Sequence, residues 1–519
     1  MKFSKRSKYL LIGLLLALNI IIRIPSVPHE CTDDSYAIHI LANSISLFGQ
    51  AEWWLHPLSI GGFYPYSYAS SVPFLLSGIS QCTGIDMEWT IWLFSMVSGL
   101  FTMFAAYLMA GAIKDDDLFK ILVASGYSLA PGMLVQSTFS VSTRGLFTVL
   151  LPLFIYLLLR IRNSLRYIML TFVLFILLLV THHYIYFTIP IIFSYVIVLI
   201  FNKLKNHAKF KIPTHIINFL FIFCFLGMFS VPFFIPIFIT AGSRYNWLNL
   251  MVVTNVRYTG ILFAFALPGF TYLSLKNNKR FEEWFLLLTL ACFAPLLYIL
   301  TYTHFFIIIF FCILAGVALT NVAKAHKQNK KIAASIIIIS LLLAVGFSGF
   351  YQHWRTQMHG GRSDWYMRET TNAGALWIKD NISANKNLVG NGGTYNDRPQ
   401  RMFAASGGTL PILTDPSSAL SYGFINESYI EMKKNSPLTI EFYRDNPYVE
   451  VAGRTIGGTL NWFSGEPDID LGHGKRIVNE FNLSYMIEDT DIHDPIIRSV
   501  QEKKNNVYDN GEIRIWDLD

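Results

Sequence analysis

Three carboxylates fall within five positions at Glu30-Cys-Thr-Asp33-Asp34, just beyond an apolar run that closes at Ile24. Carboxylates held at a bilayer boundary are costly unless they are solvated, paired or used. Asp33 or Asp34 could take the proton of an attacking hydroxyl, work that needs a carboxylate within hydrogen-bond reach. Glu30 and Tyr36 frame the two aspartates as support. The triplet Glu30, Asp33 and Asp34 also has the oxygen chemistry of a magnesium or manganese site, although no second acidic motif joins it. Helix capping would account for one aspartate, since Asp near a helix N-terminus stabilises it by about 0.3–1 kcal/mol. It does less to explain Glu30.

The cations that could complement such a base are few. Arg144 closes the Ser/Thr-rich turn that starts at Gln136, Arg244 and Arg257 lie in the segment 241–257, and His182-His183 occupy a tight turn between apolar runs. Arginine grips a phosphate with two parallel donors, and fixed cations stabilise a departing anion. These five residues are therefore the candidate contacts for such an anion. Their plainer roles are snorkelling at the membrane boundary for Arg and simple solvation for His. A second acidic run, Asp115-Asp-Asp117, lies beside Lys114 and Lys120; it reads as a solvated charge run.

The elements that position these residues follow from composition. The chain of 519 residues is 53% hydrophobic and 14% charged, well below the quarter that soluble domains carry, so it has membrane-protein composition. The net charge of +7 resides in short loops between apolar runs, so no nucleic-acid partner is needed to explain it. Apolar runs occur near 91–113, 118–136, 145–159, 167–181, 184–201, 216–239, 258–275, 284–301, 305–320 and 332–350. With the run before Ile24 they give about eleven spans. Basic residues at Lys2–Lys8, Arg160–Arg166, Lys203–Lys211, Lys276–Arg280 and Lys324–Lys331 fall on alternate connections. That pattern puts the N-terminus in the cytoplasm, and places Asp33, Asp34 and the C-terminal part on the other side. Between the first two spans, 35–90 is rich in Trp, Tyr and Pro, including Trp53-Trp54 and Phe63–Tyr68. It suits short helices at the interface, with aromatic anchors.

Residues 351–519 have ordinary soluble composition. Ala373–Asn381 reads as an amphipathic helix, Leu388-Val-Gly390 as a strand, Ile477–Phe481 as a helix, Ser484–Ile487 as a strand and 494–503 as a helix. Val507-Tyr508 and Ile513–Trp516 read as strands. Helices alternating with short strands indicate an α/β domain. Gly390-Asn-Gly-Gly393 lacks the spacing of a nucleotide-binding loop. Asn381, Asn426 and Asn482 each open a glycosylation sequon. The five cysteines show no CxxC spacing, which argues against zinc. Cys31 and Cys82 fall on one side and could pair, while Cys224, Cys292 and Cys312 lie within apolar runs and read as packing residues.

An Asp pair after a basic-started first helix, many further spans and a C-terminal α/β domain together resemble the GT-C superfamily. These are multi-spanning glycosyltransferases such as protein O-mannosyltransferases, aminoarabinose transferases and the oligosaccharyltransferase catalytic subunit. Asp33-Asp-Ser-Tyr-Ala-Ile-His-Ile-Leu-Ala42 is similar to the family's acidic first loop and following helix. Ala375-Leu-Trp-Ile-Lys-Asp-Asn381, Asn482–Ile487 and Val507–Trp516 are similar to parts of its soluble domain. The resemblance implies a polyprenyl- or dolichyl-phosphate-linked sugar donor, with Asp33 or Asp34 as the base and Arg144, Arg244, Arg257, His182 and His183 as the groups available to its phosphate. The WWDxG motif of oligosaccharyltransferases is missing at Leu460–Phe463, and the turn from Gln136 to Arg144 holds no second carboxylate motif. Both departures favour transfer of a single sugar to a protein, lipid or glycan acceptor over transfer of an oligosaccharide to Asn.

The expected fold class is a polytopic α-helical membrane protein with a C-terminal extracytoplasmic α/β domain. The membrane domain covers 1–350, with a catalytic first external loop at 25–90; the soluble domain covers 351–519. A transporter would place ionisable residues at the middle of its spans, whereas here the midsections are almost free of charge. A receptor that binds through the external domain and tolerates loss of both aspartates stays open.

Overall fold

The computed structural model describes residues 2–53, 69–207, 213–235, 244–299, 303–325, 330–356, 359–360, 363–383, 386–393, 396–408, 412–413 and 458–519. Helix α1 (Lys5–Ile21) is capped by Ser4, and α2 (Asp33–Phe48) ends on Gly49 in the left-handed conformation. Next come α3 (Ser71–Thr83), α4 (Met87–Ile113), α5 (Asp117–Ser128), α6 (Pro131–Val135), α7 (Thr143–Arg160) and α8 (Leu165–Thr181). A 3-10 turn then leads to α9 (Thr188–His207), α10 (Thr214–Phe234), α11 (Arg244–Thr259), α12 (Phe263–Leu275), α13 (Phe281–Phe293) and α14 (Leu296–Ile299). Helices α15 (Thr303–Ala325) and α16 (Lys330–Thr356) complete the apolar part.

Among the described residues, five helical stretches are long and apolar enough to cross a membrane: Met87–Ile113, Thr143–Asn163, His183–Leu204, Thr303–Ala325 and Ala334–Trp354. The chain is a multi-pass membrane protein. Other expected spans form helices that are shorter or broken. The run 118–136 divides into α5 and α6 because Pro131 has no N–H and cannot continue α5. The run that includes α12 is preceded by α11, and the two meet at a 103° bend. Gly260 makes this bend with φ of +78°, a conformation glycine adopts without steric cost. Between lipid-embedded helices, close backbone approach replaces the hydrophobic effect as the packing force. In α12, Gly269 provides such an approach: a Cβ there would sit 2.0 Å from the Leu314 carbonyl oxygen of α15.

Asp115-Asp-Asp117 is paired rather than simply solvated. Asp116 caps α5 at the Phe119 N–H and Asp117 accepts from the Phe3 N–H at 3.0 Å, while Lys120 binds both Asp115 and Asp117. The cluster ties the chain start to α5, which removes two of its three carboxylates from water. No disulfide forms: Cys31 is buried, Cys82 is exposed, and both are free thiols. Of the cysteines read as packing residues, Cys312 is buried, Cys292 half-buried and Cys224 exposed.

After α16, a two-residue ladder pairs β1 (His359–Gly360) with β2 (Ser363–Asp364), followed by α17 (Glu369–Asn381), β3 (Asn387–Gly390), α18 (Arg398–Ala405) and β4 (Ile412–Leu413). Later strands are β5 (Leu483–Asp489), β6 (Asn505–Asp509) and β7 (Ile513–Asp517). They form a five-stranded sheet of order β4-β3-β5-β7-β6. Strands β4, β3 and β5 run parallel; β7 is antiparallel to β5 and to β6. The central strands are buried on both faces, as Met486, Ile487, Ile513 and Ile515 show.

Helix α2 is the wall shared by the two halves, not an interfacial surface helix. All eleven residues from Ser35 to Ile45 are buried. Tyr36 and Ile40 pack with Met367, Ile378, Leu388 and Phe403, while Ile38, Leu41 and Ile45 pack with Trp53, Val72, Leu76 and Ile91. Each fully buried aliphatic side chain contributes about 1.5–3 kcal/mol, so α2 is fixed from both sides. Trp53 is buried with its indole N–H on Ser70; Trp54 and the aromatics 63–68 lie outside the described residues.

Candidate active site

The backbone that carries the carboxylates is held by partners far away in the chain. The Cys31 N–H donates to the Phe139 carbonyl at 2.9 Å and the Thr32 N–H to the Trp365 carbonyl at 2.8 Å. The Val141 N–H donates to Ser35 Oγ, and the Thr32 and Ser140 hydroxyls lie 3.0 Å apart. Thr32 itself has φ of +78°. A β-branched residue there is a backbone outlier, and such strain of about 1–3 kcal/mol persists where the surroundings over-determine it. The kink starts α2 at Asp33, so both aspartates occupy its first turn.

The three carboxylates then part company. Glu30 is fully buried: Ser35 Oγ donates to one oxygen at 3.2 Å and His39 Nδ1 lies 2.7 Å from the other. The Tyr36 hydroxyl donates to the Glu30 carbonyl. Burial favours neutral His39, but the Glu30 carboxylate outweighs it and raises the imidazole pKa. Asp33 turns toward the C-terminal half, where Arg401 of α18 donates to it at 3.2 Å. Desolvation raises the Asp33 pKa, with Arg401 opposing the rise and Asp34 adding to it. Asp34 turns the other way, to Arg144 of α7 at 2.9 Å.

Glu30 thus has other partners than the two aspartates, and the three carboxylates weighed as a possible cation site are not gathered as one. Among the described residues, no group of three or more His, Cys, Asp or Glu is arranged to hold a metal.

The candidate cations gather unevenly. Arg144 is mostly buried beside Asp34, with its guanidinium 5.5 Å from the centre of the Phe305 ring. Tyr258 stacks on Phe305 at 4.3 Å, and Arg257 lies 5.8 Å from the Tyr258 ring and binds the Tyr351 hydroxyl. Two aromatic rings therefore separate Arg144 from Arg257. His182 and His183 are buried, not solvated, and their rings stack at 4.1 Å. The Tyr184 N–H donates to His182 Nδ1 at 3.1 Å, which leaves Nε2 to carry the proton in the neutral ring. Both rings lie within the electrostatic reach of Arg144. Arg244 opens α11, and its side chain lies outside the described ones.

Four contributors were not anticipated. Arg401 is buried, donates to the Tyr366 carbonyl at 3.0 Å and lies 5.3 Å from the centre of the Tyr36 ring. His29 sits between Glu88 at 3.0 Å and Glu369 at 3.4 Å. Glu88 also accepts the Glu30 N–H, and His39 binds the Glu30 carboxylate. Their one signal in sequence is the adjacency of His29 to the acidic stretch and the i, i+6 place of His39 on α2 after Asp33; nothing local marks Arg401 or Glu88. On this flank a cavity of about 580 Å³ is lined by Glu30, Tyr36, His39, Asp86, Glu88 and Lys379, among others.

No protein-family model and no curated protein matches the sequence. Solved structures do match. An oligosaccharyltransferase from Archaeoglobus fulgidus, in complex with Zn and sulfate, aligns with a TM-score of 0.59 at 12% identity, covering 92% of this chain and 68% of that one. ArnT from Cupriavidus metallidurans, bound to undecaprenyl phosphate, aligns at 0.56 and 10% identity over 99% of this chain and 98% of that one. Arabinofuranosyltransferase AftD from Mycobacteria aligns at 0.52 and 13% identity, covering all of this chain but 42% of AftD. The chain has the GT-C fold. In this fold the acidic segment is tied to both halves of the chain, with Arg144 on one side and the Glu30–His39 cavity on the other.

Proposed function

We propose that the protein is a membrane glycosyltransferase that moves a sugar, with inversion, from a polyprenyl- or dolichyl-phosphate donor to a protein, lipid or glycan acceptor. The observation that carries this is the Asp33-Asp34 pair at the start of α2, with a mostly buried arginine, Arg144, 2.9 Å from Asp34. An aspartate from this pair takes the acceptor proton as the hydroxyl attacks the anomeric carbon. Arg144, with His182 and His183 behind it, holds the departing phosphate; preorganised donors of this kind act on charge as it develops. Arg257 and Arg244 are assigned to the wider phosphate and headgroup region. The acceptor approaches through the 580 Å³ cavity on the opposite flank, which reaches Tyr36, one helical turn from Asp33. The lipid carrier of this reading is of the same class as the undecaprenyl phosphate bound to the similar ArnT.

The same reading takes about eleven spans by length, a cytoplasmic N-terminus, and 351–519 as an extracytoplasmic α/β domain. Its support is the alternation of basic loops. Transfer of a lipid-linked glycan to protein is the second reading, favoured by the likeness to the Archaeoglobus oligosaccharyltransferase. Missing WWDxG residues at Leu460–Phe463 weigh against it.

The test is transfer from labelled polyprenyl-phosphate sugars in membranes that carry wild type, Asp33→Asn or Asp34→Asn. The expected result is donor consumption by wild type and a loss of about 100-fold or more in at least one variant. Full activity in both variants, or no donor consumed by wild type with any acceptor class, would overturn the reading.

A further inference from the structure

Arg144 poses a problem when no donor is bound. Its side chain is mostly buried against Phe305, next to two buried histidine rings. A partly buried cation in such a place is stabilised by an anion beside it. Asp34 supplies that anion at 2.9 Å from the N-terminal turn of α2. The Asp34 side chain is itself 54% exposed, and it sits where the positive end of the helix dipole favours a carboxylate. It can therefore leave Arg144 for water at little cost, which a buried carboxylate could not do. Asp33 is different in kind: its partner Arg401 is fixed by the Tyr366 carbonyl and stacked near Tyr36.

We infer that Asp34 is the resident counter-ion of the phosphate site, and that an incoming lipid phosphate displaces it from Arg144. The inference rests on the donor-phosphate role given to Arg144 above. Binding is then an exchange of anions on one guanidinium: the phosphate oxygens take its N–H donors, and the Asp34 carboxylate swings to solvent beside Asp33. No covalent bond changes and no proton need move. Two consequences follow. The site stays neutralised when empty, and the neutral polyprenol, which offers Arg144 no anion, does not compete with Asp34 for it. The aspartates thereby divide their labour, with Asp34 holding the place of the phosphate.

The experiment is equilibrium binding of undecaprenyl phosphate to the purified full-length protein in lipid nanodiscs. Undecaprenol serves as the neutral probe. Variants are Asp34→Asn, Asp33→Asn, Arg144→Gln and the double variant Asp34→Asn/Arg144→Gln. Removal of a competing anion should tighten undecaprenyl phosphate binding in Asp34→Asn by about 5-fold or more, the scale of ordinary coupling between two binding events. Arg144→Gln should weaken it, and the gain from Asp34→Asn should vanish in the double variant. Undecaprenol binding should be unaffected by Asp34→Asn. Unchanged or weaker binding by Asp34→Asn, with Arg144 still required, would overturn the exchange and leave the transferase reading intact. Equal tightening in Asp33→Asn would also overturn it, since the effect would then be a general field. If Arg144→Gln binds as wild type does, the phosphate role of Arg144 fails, and the exchange with it.

Discussion

The two flanks of α2 are built from residues a few positions apart, yet they present different groups. On one flank Arg144 of α7 is backed by His182, His183 and the Phe305 ring, with Asp34 facing it. On the other, Glu30, Asp86 and Glu88 line a cavity whose cationic lining groups are His39 and Lys379. The Arg144 flank is made by the apolar helices and suits a lipid-borne anion. The Glu30 flank is shared with α17 and α18. Between them stands Asp33, tied by Arg401 to the second half of the chain. Adjacent carboxylates therefore need not do the same work, because the kink at Thr32 and the turn of α2 send each to a different partner.

The largest expected effect is on the residue between the flanks. If Asp33 is the base, Asp33→Asn should lower transfer by about 10²–10⁴-fold, measured as turnover at saturating donor. Next is the Glu30 flank. Glu30→Ala leaves His39 buried without its counter-charge, and loss of one partner of a buried pair costs about 3–5 kcal/mol; a fall in thermal stability well beyond that of Asp34→Asn is expected. If both variants melt alike, the contrast between a buried and a solvent-reachable carboxylate is wrong.

Two smaller effects depend on pH. Arg401 holds the Asp33 pKa down against the desolvation that raises it. Arg401→Met should therefore move the acid limb of the activity profile to higher pH. A shift to lower pH would show that Arg401 does not act on the base. For His39 and His29, burial lowers the pKa, but Glu30 in one case and Glu88 and Glu369 in the other outweigh it, and both values are raised. Stability from a raised histidine is fully present below the unfolded value of about 6.5 and is lost as pH rises through the folded value. The melting temperature should fall between neutral and alkaline pH, with a shallower slope in His39→Gln. The smallest effect is at the kink: Thr32→Gly should relieve about 1 kcal/mol of strain, visible as an unchanged or slightly raised melting temperature.

Much of this architecture is legible in the sequence because it depends on local pattern. The strands at 388–390, 484–487 and 513–516 and the helix over Ala373–Asn381, which the structure extends back to Glu369, are marked by their own apolar periodicity. The aspartates stand out through their place after an apolar run. The burial of α2 is not legible: its polar residues Ser35, His39, Asn43 and Ser44 suggest a surface, and only the arrival of α17, α18 and the sheet covers them. Arg401 escapes notice for the same reason, since its partner lies 368 positions earlier. The break at Pro131 is hidden because hydropathy alone does not register a missing N–H.

The hydrogen bonds that clamp residues 31 and 32 set a timetable. Phe139, which receives the Cys31 N–H, leaves the ribosome before most of the apolar helices. Trp365, which receives the Thr32 N–H, follows the last of them. Arg401 is made later still. The N-terminal carboxylates must therefore wait for most of the chain before their geometry closes, and such distant pairings form slowly. A nascent or truncated chain that has inserted its helices would carry both aspartates and Arg144, but not the lock that orients Asp33. Assembly order thus leaves Asp33 without its Arg401 partner until α18 has been made.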